Sequence, residues 1–169
     1  MRNKVLWRMT ATMMAVLVAF DASAVTARAS DAGQAVDVPA EVREISEELG
    51  NQYHICPELI QAVCFKESSF QTDAENGGCT GLMQVSEKWH RERMERLGVT
   101  DLKDARGNMA VGVDYLAELF NEYEDAGAAL MKYNGDSRLS NLVDGTGDLS
   151  DYADEVLALS AELERRNGK

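Results

Sequence analysis

Apolar residues recur at helical spacing along most of the chain. Val38, Val42, Ile45, Leu49 and Tyr53 share one face and predict a first helix near 39–52. Pro57 suits the first position of a helix, where its missing N–H costs nothing, and a second helix is expected over 57–68. Its stripe is Ile60, Val63, Cys64 and Glu67. A third helix is expected over 86–97, stopped by Gly98. Asn108 can cap a fourth, whose face is Met109, Val113, Leu116, Phe120 and Tyr123. Gly112 lies on that face, where a missing side chain lets a neighbouring helix come close. Asp125 and Gly127 begin a short helix ending near Lys132, and Ser150 caps a last one with Tyr152, Val156, Leu159 and Leu163 inward. Turn-rich loops are expected over 73–80 and 134–148. No segment alternates as a strand would, and no repeat is visible, so the expected fold class is all-α, one domain over 38–166.

The first residues do not belong to that pattern. Arg2, Lys4 and Arg8 precede an apolar run from Met9 to Phe20, and Ala22-Ser23-Ala24 and Ala27-Arg28-Ala29 fit small-residue cleavage sites. Residues 1–29 are therefore expected to be a secretory signal peptide, with 30–37 a flexible lead. The run is short for a membrane span, which needs about 20 residues; an uncleaved anchor is the alternative. The chain carries a net charge of -12, and loss of the basic leader makes it more acidic. Such a surface repels nucleic acid and anionic membranes. Any glycan partner would be held by shape, stacking and hydrogen bonds.

Glu67 is the candidate for chemistry. It extends an apolar stripe, where a carboxylate resists ionisation and its pKa rises. A raised Glu can donate a proton near neutral pH. On the stripe alone, a Glu at a helix end that simply reaches water is the plainer reading.

The residues beyond Glu67 change that balance. Ser68 comes directly after it, then Gly81-Leu82-Met83-Gln84, then Asn108-Met109-Ala110-Val111-Gly112, then Tyr133-Asn134, and late in the chain Tyr152. The ordered set resembles the lytic transglycosylase family, lysozyme-like enzymes of the soluble transglycosylase type, over residues 55–163. The resemblance implies a lysozyme-like or goose-type-lysozyme-like helical domain acting on peptidoglycan glycan strands. It implies cleavage of the β-1,4 bond between N-acetylmuramic acid and N-acetylglucosamine, with Glu67 as acid and then base and 1,6-anhydro ends as product. Ser68, Met83, Gln84, Tyr133, Asn134 and Tyr152 would line the site, with Ser68 orienting Glu67 and the late Tyr pointing at it. Where the family has Ala before Tyr-Asn, this chain has Lys132, which puts the local groove shape in question.

Two rival readings stand beside this one. A hydrolase on the same fold needs a second carboxylate roughly 5–9.5 Å from the first, and Asp73 and Glu75 sit on the loop that could supply it. A non-catalytic glycan-binding module of a secretion or conjugation apparatus is the rival from another class. A monomer is expected, with such an envelope machine as a candidate partner and no cofactor. His54 and His90 are isolated in sequence and read as surface or packing residues; no spacing suggests a metal. Secretion permits disulfides. Cys56 and Cys64 are separated by about 12 Å of helix, too far to bridge. A Cys56–Cys79 bridge is expected instead, with Cys64 a buried thiol.

Overall fold

The computed structural model describes residues 35–169; the expected signal peptide and most of the expected lead lie outside the described residues. Seven helices follow in order: α1 (Ala40–Tyr53), α2 (Pro57–Ser68), α3 (Glu87–Leu97), α4 (Ala105–Glu122), α5 (Ala126–Tyr133), α6 (Leu139–Val143) and α7 (Asp151–Arg166). Among the described residues no helix is long and apolar enough to cross a membrane.

The second helix is the centre of the fold. Ile60, Ala62, Val63 and Cys64 are fully buried and Leu59 nearly so. A helix apolar on several faces must be covered on several sides, and α2 packs against both α1 and α7. The fourth helix packs on α1, α3 and α5, and α5 returns to α7, which closes the core. Helix starts follow local chemistry. Ser150 accepts from the Ala153 N–H, and Asp125 from the Ala128 N–H at 2.7 Å, each satisfying a donor that the first turn leaves orphaned.

Four expectations change. The fourth helix begins at Ala105, capped by Asp104, whose Oδ2 accepts from the Gly107 N–H at 2.7 Å. Asn108 is therefore inside the helix, and buried. The loop expected over 134–148 contains α6, a single short turn of helix. The loop after α2 holds a hairpin of two-residue strands, β1 (Glu75–Asn76) and β2 (Cys79–Thr80), joined by Gly77 and Gly78, both at positive φ. Two consecutive positive-φ residues suit the tight hairpin turn, and strands this short cannot show an alternating pattern. Finally, Gly112 admits a side chain rather than a helix. A Cβ there would lie 2.6 Å from Met83 Sδ.

Two carboxylates fasten the helices together. Asp114 on α4 accepts from Arg93 and Arg96 of α3 at 2.7 and 2.6 Å, and from the Tyr53 hydroxyl at the end of α1 at 3.0 Å. Glu58, near the start of α2, accepts from Asn167 Nδ2 and Lys169 Nζ, both at 2.8 Å, just beyond the end of α7. Burial alone would raise both carboxyl groups. The donors around them outweigh it and hold each at about 2.

A folded-state pKa below the unfolded value means stability that is present above the unfolded pKa and lost as pH falls through the folded one. Glu58 is almost fully buried, and its depression from 4.5 to about 2 corresponds to on the order of 3 kcal/mol. Glu58→Gln should therefore destabilise the protein at pH 7. In denaturant titrations the gap to the parent should shrink as pH falls from about 4.5 toward 2. A constant gap across that range would show that the charge of Glu58 is not what stabilises.

Candidate active site

Glu67 projects from the last turn of α2, whose end is set by Ser69 in the left-handed conformation at φ 51°. Phe70 also has positive φ, 65°. Two successive non-glycine residues there are strained, and they turn the chain sharply away from Glu67. The Glu67 side chain is mostly buried, and burial raises its pKa above the ordinary carboxyl value. Two contacts act the other way. The Tyr152 hydroxyl, in the first turn of α7, donates to Glu67 Oε1 at 2.5 Å, and the Lys66 charge is nearby. Lys66 itself is ion-paired with Glu155. Burial wins, so this carboxyl holds a proton to higher pH than a solvated one.

The segment Gly81-Leu82-Met83-Gln84 forms the platform beside Glu67. Gly81 has φ 80°, and a Cβ there would meet Asn108 Nδ2 at 2.3 Å and the Leu102 carbonyl at 2.4 Å, so only glycine fits. Asn108 organises the segment from below. Its Oδ1 accepts from the Met83 N–H at 2.8 Å, and its Nδ2 donates to the carbonyls of Thr80 (2.7 Å) and Leu102 (2.9 Å). Both ends of the buried amide are spent on backbone, which explains its place inside an apolar helix face. Gln84 has φ 47°, a third strained residue, and its Nε2 donates to the carbonyls of Ala74 and Gly81. The Tyr133 hydroxyl donates to the Met83 carbonyl at 2.9 Å. Burial, and then the Glu67 charge, raise the pKa values of Tyr133, Tyr152 and the Cys79 thiol. These groups sit close enough to Glu67 to sense its ionisation.

A cleft of about 610 Å³ opens from this cluster. Cys79, Gln84, Trp89, Arg93, Lys132 and Tyr133 are among the residues that line it. Glu67 is not one of its lining residues; it adjoins the cleft through the cluster just described. A stack runs along the wall, with the Tyr115 ring 5.5 Å from Tyr133 and 4.6 Å from His90.

The structure brings Glu67, Gln84, Tyr133 and Tyr152 together and places the other expected residues differently. Ser68 does not touch Glu67. Its hydroxyl is buried against the carbonyls of Leu82 (2.9 Å) and Cys64 (3.1 Å), so it secures the platform to α2. The Met83 side chain is fully buried against Gly112, beneath the cleft rather than facing it. Asn134 caps the end of α5 and is exposed beside the cleft. His54 is an exposed helix cap, while His90 belongs to the cleft wall.

The expected Cys56–Cys79 bridge is absent, and all three cysteines are free thiols. Cys56 stands before α2 and bonds Glu58, whereas Cys79 lies by Glu67 at the other end of the helix. Twelve helical residues span about 18 Å, and a bridge needs Cα atoms within about 7 Å. Cys64 is buried as expected. Cys79 and Trp89 are cleft residues that sequence reasoning missed, since nothing in their neighbours marks a groove. Asn108 left one signal, a polar residue at the head of an apolar face.

Residues 44–154 match the sequence profile of the family described as Transglycosylase SLT domain. The chain is 34% identical over 84 residues to a membrane-bound lytic murein transglycosylase F of Desulfosudis oleivorans, a match spanning 49% of this chain and 18% of that protein. The fold is similar to the X-ray structure of an inactive Glu-to-Gln mutant of lytic transglycosylase Slt from Pseudomonas aeruginosa. That match has a TM-score of 0.67 and 22% identity, and covers 78% of this chain and 25% of the other. The chain thus spans a quarter or less of each of these two proteins.

The electrostatics of Glu67 can be checked by stability. A carboxyl whose folded pKa is raised penalises folding above that pKa and not below the unfolded one. Glu67→Gln should stabilise the protein at pH 7, and the gain should vanish below about pH 4. The gain should be larger in a Tyr152→Phe background, where the bond that lowers the Glu67 pKa is gone. A Glu67→Gln variant less stable than its parent at pH 7 would contradict this account.

Proposed function

The chain belongs to the Transglycosylase SLT domain family, and on that premise we propose that it is a peptidoglycan lytic transglycosylase that cuts the β-1,4 bond between N-acetylmuramic acid and N-acetylglucosamine. The observation that carries the proposal is the buried Glu67 carboxyl, raised in pKa and held by the Tyr152 hydroxyl at the edge of a cleft. In the first step the Glu67 proton passes to the bridging oxygen, and the bond from that oxygen to the muramyl C1 breaks. In the second the C6 hydroxyl of the same sugar attacks C1, and its proton returns to Glu67. A 1,6-anhydro end results, no water is consumed, and the acid is regenerated. Tyr152 fixes the carboxyl in place through both transfers. Gln84 and Tyr133 are proposed to bind sugar in the cleft, with Asn134 beside it.

A single-acid route is supported by the surroundings of the two loop acids. Asp73 is exposed, and Glu75 is spent on an ion pair with Lys103 at 2.7 Å. The charged side chain acting on Glu67 is Lys66, not a second carboxylate. A hydrolase that activates water would need that second group. Export to the cell envelope is proposed from the basic start, apolar run and small-residue sites of residues 1–29. N-terminal sequencing of envelope material should then find a start near Val25 or Ser30; an intact leader in membranes would favour the uncleaved anchor instead.

Glu67→Gln should lower release of fragments from purified peptidoglycan by about 10²-fold or more, while the variant stays folded. Asp73→Asn and Glu75→Gln should retain most activity. Mass analysis should find anhydromuramic ends, lighter by one water than reducing ends. Reducing ends as the main product, with activity lost in a loop variant, would replace this reading with the hydrolytic one.

A further inference from the structure

Charge in the cleft is balanced except at one side chain. Of its acids, Glu118 is ion-paired with Arg93 and Asp136 with Arg138. Arg93 is also bonded to Asp114 at 2.7 Å and to His90 Nδ1 at 3.1 Å. Lys132 also lines the cleft and is exposed, and its side chain makes no hydrogen bond or ion pair among the described residues. An uncompensated cation in a groove of a chain with net charge -12 is a place for an acid that the protein does not itself supply.

Two further features of the same cleft suit a sugar. Trp89 is 76% exposed, more than any other large apolar side chain among the described residues. The Lys88 ammonium lies 4.6 Å from its ring centre, and the exposed remainder offers a flat apolar surface of the kind a pyranose ring covers. Burial, and then the Arg93 charge, lower the His90 pKa, with Glu118 acting the other way. Arg93 can only donate, so His90 Nδ1 accepts and the ring proton sits on Nε2. That N–H has no partner among the described residues and is not a buried unsatisfied atom, so it reaches solvent as a donor.

We propose that this cleft, lined by Trp89, His90 and Lys132, holds a subsite for an acid-bearing muramyl residue of the glycan strand, with the sugar on Trp89 and the carboxylate at Lys132. This rests on the function proposed above and adds a preference that Glu67 cannot supply. The carboxylate has two sources in peptidoglycan: the lactyl group of a muramic acid stripped of its peptide, or the acids of an attached stem peptide. Both present the same group to Lys132.

The test is binding by calorimetry to the full chain carrying Glu67→Gln, so that ligand is not consumed. The probes are peptide-bearing strands, strands freed of stem peptides, and N-acetylglucosamine oligomers, which have no acid. Lys132→Ala should weaken binding of acid-bearing strands about fivefold, the size of one well-placed exposed ion pair. It should flatten their salt dependence and leave the neutral oligomers unchanged, and Lys132→Arg should restore most of the loss. Trp89→Ala should weaken all three probes. A loss with stripped strands assigns the lactyl carboxylate, and a loss confined to peptide-bearing strands assigns the stem peptide; either supports the subsite. Unchanged binding of every acid-bearing strand, or an equal loss for neutral oligomers, would overturn it. A Lys132 effect on binding in a protein whose unsubstituted form releases no fragments would leave the subsite standing and remove the catalytic reading alone.

Discussion

The antiparallel pairing of α2 and α7 is the constraint on which the site depends. These two helices are bonded at both ends. Glu58 at the start of α2 takes the donors of Asn167 and Lys169, and Glu67 at its end takes the Tyr152 hydroxyl. Lys66 and Glu155 add a pair beside the second contact. Between them lie fully buried apolar residues, Val63 and Cys64 on α2 and Val156 on α7. Because the packing is dry and the ends are pinned, Glu67 has little freedom to swing toward water. Its burial, and hence its raised pKa, is a consequence of helix pairing rather than of the carboxyl group itself.

The opposite wall is a loop that would be soft without its internal bonds. The chain from Ser69 to Gln84 contains three strained non-glycine residues, Ser69, Phe70 and Gln84. Such conformations persist only when the surroundings over-determine them. Asn108 does this with three bonds to backbone, Ser68 with two contacts, and Tyr133 with one to the Met83 carbonyl. Met83 then fills the space left by Gly112. The loop is thereby fixed to α2, α4 and α5 at once, which makes one rigid surface from three helices distant in sequence.

Helices were legible because their signals are local. The stripes of Val42, Ile45 and Leu49, and of Val156 and Leu163, are buried as their spacing predicts. Glu67 was legible for the same reason, as a charge set into an apolar face. What failed was direction. Ser68 is adjacent to Glu67 in sequence, yet successive helical residues point about 100° apart, so its hydroxyl turns to Leu82 instead. Met83 sits in a short loop segment where no periodicity tells inside from outside, and it points inward. The cysteine pairing failed because helix spacing can exclude a bridge but cannot establish one; only the placement of Cys79 beside Glu67 shows that Cys56 is a helix length away. Trp89 and Lys132 were invisible as a pair, since a cleft between α3 and α5 is a tertiary fact.

Two carboxylates on one helix show how little the residue type decides. Glu58 and Glu67 are both largely withdrawn from water, and withdrawal pushes both toward the neutral form. Glu58 meets an ammonium, an amide and a thiol, and their hydrogen bonds, Lys169 first, outweigh burial and carry it to about 2. Glu67 meets a phenol and only the more distant Lys66, whose charge Glu155 already offsets. A neutral hydroxyl can orient a carboxyl without stabilising its anion as an ammonium would. The first arrangement holds two helices together and has no proton to give. The second keeps its proton to higher pH than a solvated carboxyl and fixes its direction, a combination that suits the general-acid role proposed for Glu67. Had Tyr152 been a lysine, the same fold would carry a further ion pair where it now carries a carboxyl of raised pKa.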